Sequence, residues 1–203
     1  MKQLFKSHPW HGVEIGKDSP AIVTAYIEIV PTDVFKYEVD KETGHLKIDR
    51  PQKYSNYCPT LYGFIPKTYC GEEVGKFCAS EINRENINGD GDPLDICVLT
   101  EKPIQHGDIL VTAVPIGGLR MIDKDEADDK IIAVLSGDSI YGTLTDISEL
   151  PKKVLDSLQH YFLTYKNMPG EIPQKVEITD VFGRETAHKI IELAIKDYQK
   201  SFC

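Results

Sequence analysis

The stretch Ala21-Ile22-Val23-Thr24-Ala25-Tyr26-Ile27-Glu28-Ile29-Val30 alternates: Ala25, Ile27 and Ile29 share one face, and Thr24, Tyr26 and Glu28 share the other. A period of two predicts a β-strand with one apolar face, because successive side chains on an extended backbone point to opposite sides. The pattern continues outward from there. Residues 35–39 alternate again, with Lys36 and Glu38 opposite Tyr37 and Val39. Residues 40–44 read as a turn on Gly44, and residues 46–50 return with Leu46, Ile48 and Arg50 on one side. Further strands are predicted over 94–99, 109–116, 119–123, 131–135, 139–144 and 176–182.

In the last third of the chain the period changes. Val154, Leu155, Leu158, Tyr161, Phe162 and Tyr165 recur at helical spacing, with Pro151 suited to the first turn. A second stripe starts near Glu185 and carries Ala187, Ile190, Ile191, Ala194, Ile195 and Tyr198. Many short strands followed by helices predict an α+β chain, a barrel or tightly curved sheet covered by helices. No internal repeat or low-complexity tract divides it, so residues 1–203 read as one domain. Residues 70–86 are polar, contain Gly71 and Gly75, and read as a surface insertion.

Composition narrows the function. The 203 residues are 41% hydrophobic, with 23 basic against 32 acidic side chains and a net charge of −9. The longest apolar run, Ile131-Ile132-Ala133-Val134-Leu135, is far below the ~20 residues of a membrane helix. Residues 1–8 hold no apolar signal segment, and five cysteines without a CxxC pair read as free thiols, so the expectation is cytoplasmic. An acidic chain repels phosphate backbones, which argues against nucleic-acid binding and suits a protein that gathers divalent cations.

The densest chemistry is Asn88-Gly89-Asp90-Gly91-Asp92-Pro93-Leu94-Asp95. Glycine lets this loop turn tightly and Pro93 stiffens it, so its carboxylates can converge, where they repel unless they share a proton or hold cations. A solvated acidic turn is the plainer alternative. An EF-hand is excluded by register, since position 6 from Asn88 is Pro93 and position 12 is Leu99. A second cluster, Asp123-Lys124-Asp125-Glu126-Ala127-Asp128-Asp129-Lys130, lies beside predicted strand ends. Hard oxygen donors in that number suit Mg²⁺ or Mn²⁺ better than zinc. Lys36, Arg50, Tyr62, Tyr165 and Lys166 add cations and phenols that suit a phosphate anion.

In this pattern the chain resembles the family I soluble inorganic pyrophosphatases. The residues that carry the likeness are Ile27-Glu28-Ile29, Lys36-Tyr37-Glu38, Asp49-Arg50, Leu61-Tyr62-Gly63, Asp90-Gly91-Asp92-Pro93-Leu94-Asp95, Asp123 with Asp128 and Lys130, and His160-Tyr161-Phe162 with Tyr165-Lys166. The resemblance implies a small closed β-barrel (OB-like) with additional strands, flanked by two C-terminal helices. It implies hydrolysis of pyrophosphate to two phosphates by a metal-activated water, with several Mg²⁺ ions per site, Mn²⁺ as an alternative, and a homo-oligomer. By the same likeness Asp90, Asp95 and Asp128 hold the first metal pair with Asp95 bridging, and Asp123 holds metal arriving with substrate. Glu28 and Glu38 form an outer acidic ring, and Asp92 is the general base. Lys36, Arg50, Tyr62, Lys130, Tyr165 and Lys166 hold the two phosphoryl units. Two features depart from the family pattern: Cys58 precedes Pro59 where a tyrosine is usual, and the stretch from Tyr62 to Asp90 is longer than in compact bacterial members.

The competing readings are a nucleotide or phosphoester hydrolase, an oligonucleotide-binding barrel, and a family member without catalysis. No Gly-x-x-x-x-Gly-Lys-Ser/Thr loop supports the first. A 9% aromatic content and an acidic candidate groove disfavour the second. The intact acidic motifs disfavour the third. His8-Pro9-Trp10-His11 reads as an ordered arm with Trp10 packed down, His160 as packing or interface, and Cys97 as a small core residue.

Overall fold

The computed structural model describes residues 6–53, 55–167, 170 and 175–203, so the first five residues of the N-terminal stretch lie outside it. The elements are β1 (Val23–Ile29), β2 (Phe35–Val39), β3 (Leu46–Pro51), β4 (Leu61–Phe64), α1 (Glu72–Ile82), β5 (Asn88–Gly89) and β6 (Asp95–Leu99). They continue with β7 (Ile109–Asp123), β8 (Glu126–Ala127), β9 (Lys130–Leu135), a 3₁₀ turn at Ile147–Glu149, α2 (Lys152–Thr164), β10 (Val176–Gly183) and α3 (Arg184–Phe202).

Five strands close into a ring. β1 pairs antiparallel with β4 and with β7, β4 pairs with β6, β6 runs parallel to β9, and β9 returns to β7. Closure removes the unpaired edges that an open sheet leaves. Val23, Ala25, Ile27, Leu61, Ile96, Val98, Ala113, Ile131 and Ala133 form one buried cluster to which every ring strand contributes. This is the barrel interior, and Ala187, Ile190, Ile191 and Ala194 of α3 join it. Each large aliphatic side chain so buried contributes about 1.5–3 kcal/mol over exposure. The alternate residues Cys97, Leu99, Ile132 and Val134 face outward beneath Leu158, Tyr161 and Phe162 of α2.

Gly63 is required by a close approach. A Cβ there would lie 1.9 Å from the Tyr26 carbonyl oxygen, where β1 and β4 meet beside a register shift between Ile27 and Ile29.

Two expectations change, and a third stretch gains a helix. Residues 109–116 and 119–123 are one long strand, β7, with a register shift between Pro115 and Gly117 instead of a break. Residues 139–144 are turns, not a strand. The Asp138 carboxylate accepts the backbone N–H groups of Ile140 and Tyr141 at 2.9 and 2.8 Å, a local alternative to a sheet ladder. Residues 70–86 carry a third helix, α1, which buries Val74, Gly75 and Cys78.

Both α1 and α3 are capped from elsewhere in the chain. Asp197 of α3 accepts the N–H groups of Gly71, Glu73 and Val74 at 3.1, 3.0 and 3.0 Å through Oδ2. Asp146 accepts those of Arg184 at 2.9 Å and Ser148 at 3.0 Å. Helix starts leave unpaired N–H donors, and an acceptor there is worth about 0.5–2 kcal/mol. Trp10 is buried, with its indole N–H donating to the Thr68 carbonyl at 2.7 Å. Cys58, Cys70, Cys78 and Cys97 are buried free thiols, and Cys203 is exposed. Among the described residues no helix is long and apolar enough to cross a membrane.

Candidate active site

One cavity on the outside of the barrel wall collects every residue singled out above for metal, substrate or base: Glu28, Lys36, Glu38, Arg50, Tyr62, Asp90, Asp92, Asp95, Asp123, Asp128, Lys130, Tyr165 and Lys166. Strand parity explains much of this. Leu61 of β4, Ile96 of β6 and Ile131 of β9 point into the barrel, so Tyr62, Asp95 and Lys130 point out. The parallel register sets Asp95 directly beside Lys130.

From β2 and β3 comes a second wall. Lys36 and Arg50 face each other across the hairpin. Such like charges repel, and Asp49 offsets both, lying 3.0 Å from Lys36 Nζ and paired with Arg50. Lys36 also donates to Glu38 at 2.9 Å. Glu28 of β1 accepts the Val39 N–H at 2.6 Å, which ties the hairpin to the barrel.

The acidic loop forms the third wall. Gly91 sits at φ +76°, in the left-handed region that glycine adopts without strain. Its N–H donates to the Cys70 carbonyl at 3.0 Å, the Cys70 N–H donates to the Asp92 carbonyl at 2.8 Å, and the Asp92 N–H donates to Asp90 Oδ1 at 3.0 Å. The loop is therefore rigid on its inner side while its carboxylates face the cavity.

Charge is unbalanced in this cavity. Lys130 donates to both Asp95 and Asp128, Tyr62 donates to Asp95 at 2.6 Å, and Lys166 donates to Asp123 at 2.5 Å. Burial, and then the charges of Asp128 and Asp95, push the Asp90 carboxyl up to about 8. Burial also raises Asp128, against the opposing pull of Lys130. Glu28 is pushed up to about 8 by burial, with a further push from Asp95. For Lys130, burial works against the charge, yet Asp128 and Asp95 more than offset it and hold the ammonium well above its ordinary range.

A divalent cation fits this donor set. The donors are hard carboxylate oxygens that raise one another's proton affinity, and Asp123 Oδ1 is buried with no hydrogen-bond partner. Among the described residues no three carboxylates converge as ligands on one point. Ammonium groups stand against them instead: Lys130 on Asp95 and Asp128, Lys166 on Asp123, and Lys41 on Asp92.

Lys41 is absent from the sequence reading, as are Glu126 and Tyr161 as cavity residues. Lys41 lies in the turn after β2, where a lysine carries no pattern of its own. Tyr161 belongs to the apolar stripe of α2 and reads as core. It does pack there, in the same cluster as Cys58, while its other side reaches the cavity. The Cys58 thiol, fully inside the cluster, is pushed up to about 11 by burial.

Carboxylates, lysines and phenols gathered on the outer wall of a five-strand barrel define a class: a metal-assisted hydrolase acting on a phosphoryl anion. The comparisons narrow the class. A family model described as "Pyrophosphatase: Inorganic pyrophosphatase" matches residues 25–199. The chain is 56% identical to an inorganic pyrophosphatase of Chlamydia trachomatis, over 97% of this chain and 96% of that protein. It is 37% identical to soluble inorganic pyrophosphatase 2 of Chlamydomonas reinhardtii, over 97% and 91%. The crystal structure of the inorganic pyrophosphatase from Thermus thermophilus matches with a TM-score of 0.78 at 29% identity, covering 96% of this chain and 99% of that one. This chain belongs to the inorganic pyrophosphatase family, and it is a divalent-metal-dependent hydrolase of pyrophosphate.

Proposed function

We propose that the cavity hydrolyses pyrophosphate to two phosphates with Mg²⁺ as the working ion and Mn²⁺ as the alternative, and that the thirteen residues gathered there divide the work. The observation that carries this reading is the excess of mutually repelling carboxylates, expressed in the raised Asp90. Asp90, Asp95 and Asp128 would hold the first cations, with Asp95 the ligand they share, Asp123 would hold those that arrive with substrate, and Glu28 and Glu38 would form the outer acidic ring. Bound divalent cations supply charge neutralisation and acidify water. Asp92 accepts the proton of the attacking water, for which its place on a rigid loop beside Asp90 suits it. Lys36, Arg50, Tyr62, Lys130, Tyr165 and Lys166 orient the two phosphoryl units and stabilise charge on the transferred and leaving oxygens.

The rest of the reading follows from the same features. Residues 1–203 work as one domain, since β1 and α3 share one core. Exposed Val34, Ile48, Leu110 and Ile140 offer apolar surface for a homo-oligomer. The net charge of −9 disfavours nucleic acid, and free thiols suit the cytoplasm.

Phosphate release tests the reading. Rapid release from pyrophosphate with Mg²⁺, abolished by EDTA and absent with ATP or p-nitrophenyl phosphate, is the expected result. Equal release from all three substrates overturns the specificity, and no release with any divalent ion overturns the activity.

A further inference from the structure

Behind the cavity lies a buried ion pair that the reaction does not touch. Arg120 of β7 and Asp129 are 1% and 2% exposed, and Arg120 Nε lies 3.4 Å from Asp129 Oδ1. The guanidinium is held between two rings, 5.3 Å from the centroid of Phe77 on α1 and 5.3 Å from that of Phe182 on β10. Such a pair is a weak source of stability, because desolvating two charges offsets most of their attraction and an apolar pair is often as stable. Here the bonding is also incomplete. Arg120 Nε and Nη1 and Asp129 Oδ2 are buried without a hydrogen-bond partner.

Its place in the chain supplies another role. Asp129 lies between Asp128 and Lys130, which both line the cavity while Asp129 does not. The ladder to β7 pairs Ile122 with Ala127 and Leu119 with Lys130, leaving residues 128 and 129 outside any strand between those pairs. Two hydrogen bonds with Met121 bridge the gap: the Asp128 N–H donates to the Met121 carbonyl at 2.9 Å, and the Met121 N–H donates to Asp129 Oδ1 at 3.3 Å. Lys130 is fixed by its ladders to Asp95 and Leu119, so what the inward anchor at Asp129 adds is the aim of the side chain before it, Asp128, toward the cavity.

We propose that the Arg120–Asp129 pair is a positioning device: it anchors residues 128 and 129, which no strand ladder holds, against β7, and so holds Asp128 in the site beside the laddered Lys130, with Phe77 of α1 and Phe182 as its clamps. The inference rests on the reading of Asp128 as a metal ligand.

The test compares Mg²⁺ affinity, measured by calorimetry on substrate-free protein, across four variants. Arg120→Met/Asp129→Leu removes both charges together and is expected to melt within a few degrees of the parent while binding Mg²⁺ about tenfold more weakly, the usual scale for groups that orient metal ligands. Arg120→Lys, which keeps a cation for Asp129, is expected to lose less. A folded double variant with the parent's Mg²⁺ affinity overturns the proposal. Should the double variant not fold, Asp129→Asn decides by the same measure, with parent-like affinity again overturning it. Asp128→Asn separates the two readings: parent-like affinity there overturns the ligand assignment, whereas weakened affinity there beside a parent-like double variant overturns the anchor alone.

Discussion

Asp197 at the join of α1 and α3 and Asp90 in the cavity are both carboxylates drawn out of water, and the fold treats them in opposite ways. Asp197 receives three backbone N–H groups on one oxygen, with Glu73 reaching the other oxygen as well. Asp90 receives the N–H of Asp92 and faces the charges of Asp128 and Asp95, which help burial push its carboxyl up to about 8. A structural carboxylate is surrounded by donors. Asp90 is left short of them, and on the proposed function that shortage is what draws a cation. The contrast implies that a neutral amide oxygen can replace the first kind but not the second.

Isosteric substitution tests that difference. The largest effect is expected at Asp92→Asn, which should lower kcat by about 10³, near 4 kcal/mol on the barrier, while Mg²⁺ affinity measured by calorimetry stays close to the parent's. Unchanged turnover would remove Asp92 as the base. Next, Asp197→Ala should destabilise the protein by about 2 kcal/mol, since three helix-start donors lose their acceptor, with kcat unchanged in the folded fraction. Urea melts read this directly.

The pH dependence of stability comes third. Asp90 keeps a proton in the folded protein up to about 8, whereas its ordinary value is 3.8. Between those values the folded state binds more protons than the unfolded state, so stability falls as pH rises. In EDTA, Tm should drop by about 6 °C from pH 6 to pH 8.5, equivalent to about 2 kcal/mol in a chain of this length. His11 and His188, held below their ordinary values by burial, pull in the opposite direction. Glu28, pushed up to about 8 as well, adds to the same slope; Asp90→Asn isolates the Asp90 carboxyl and should make the slope shallower, and an unchanged slope would refute the assignment. The smallest effect belongs to Asp197→Asn, about 0.5 kcal/mol, because one amide oxygen can still receive all three donors. A loss equal to that of Asp197→Ala would break the contrast.

How far these features could be read from sequence follows the range of the interactions behind them. The alternation of residues 24–29 and the stripes of α2 and α3 are local and were legible. So was the acidic loop, whose Gly91 and Pro93 carry their backbone preferences with them. The partnership of Asp95 and Lys130 is not local: it arises from a parallel register between residues 35 apart in the chain, whereas the motif resemblance put both in one site with separate roles and periodicity could not pair them. β4 escaped because Leu61-Tyr62-Gly63-Phe64 is four residues long with a glycine inside. α1 escaped because its buried face is only Val74, Gly75 and Cys78, and its cap, Asp197, lies more than 120 residues away. At residues 139–144 the alternation was present, but the Asp138 carboxylate offered the backbone a closer partner. Lys41 shows the same limit in the site, since nothing near a turn lysine announces a contact with Asp92 across the cavity.

One packing detail has an optical consequence. Trp10 is the only tryptophan in the chain, its ring stacks on His11 at 4.4 Å, and it forms part of the cavity wall. All indole fluorescence of the molecule therefore originates at the cavity that Asp92 and Lys41 also line. Emission on titration with cations or phosphate reports on that wall alone, free of background from elsewhere in the fold, and needs no attached dye.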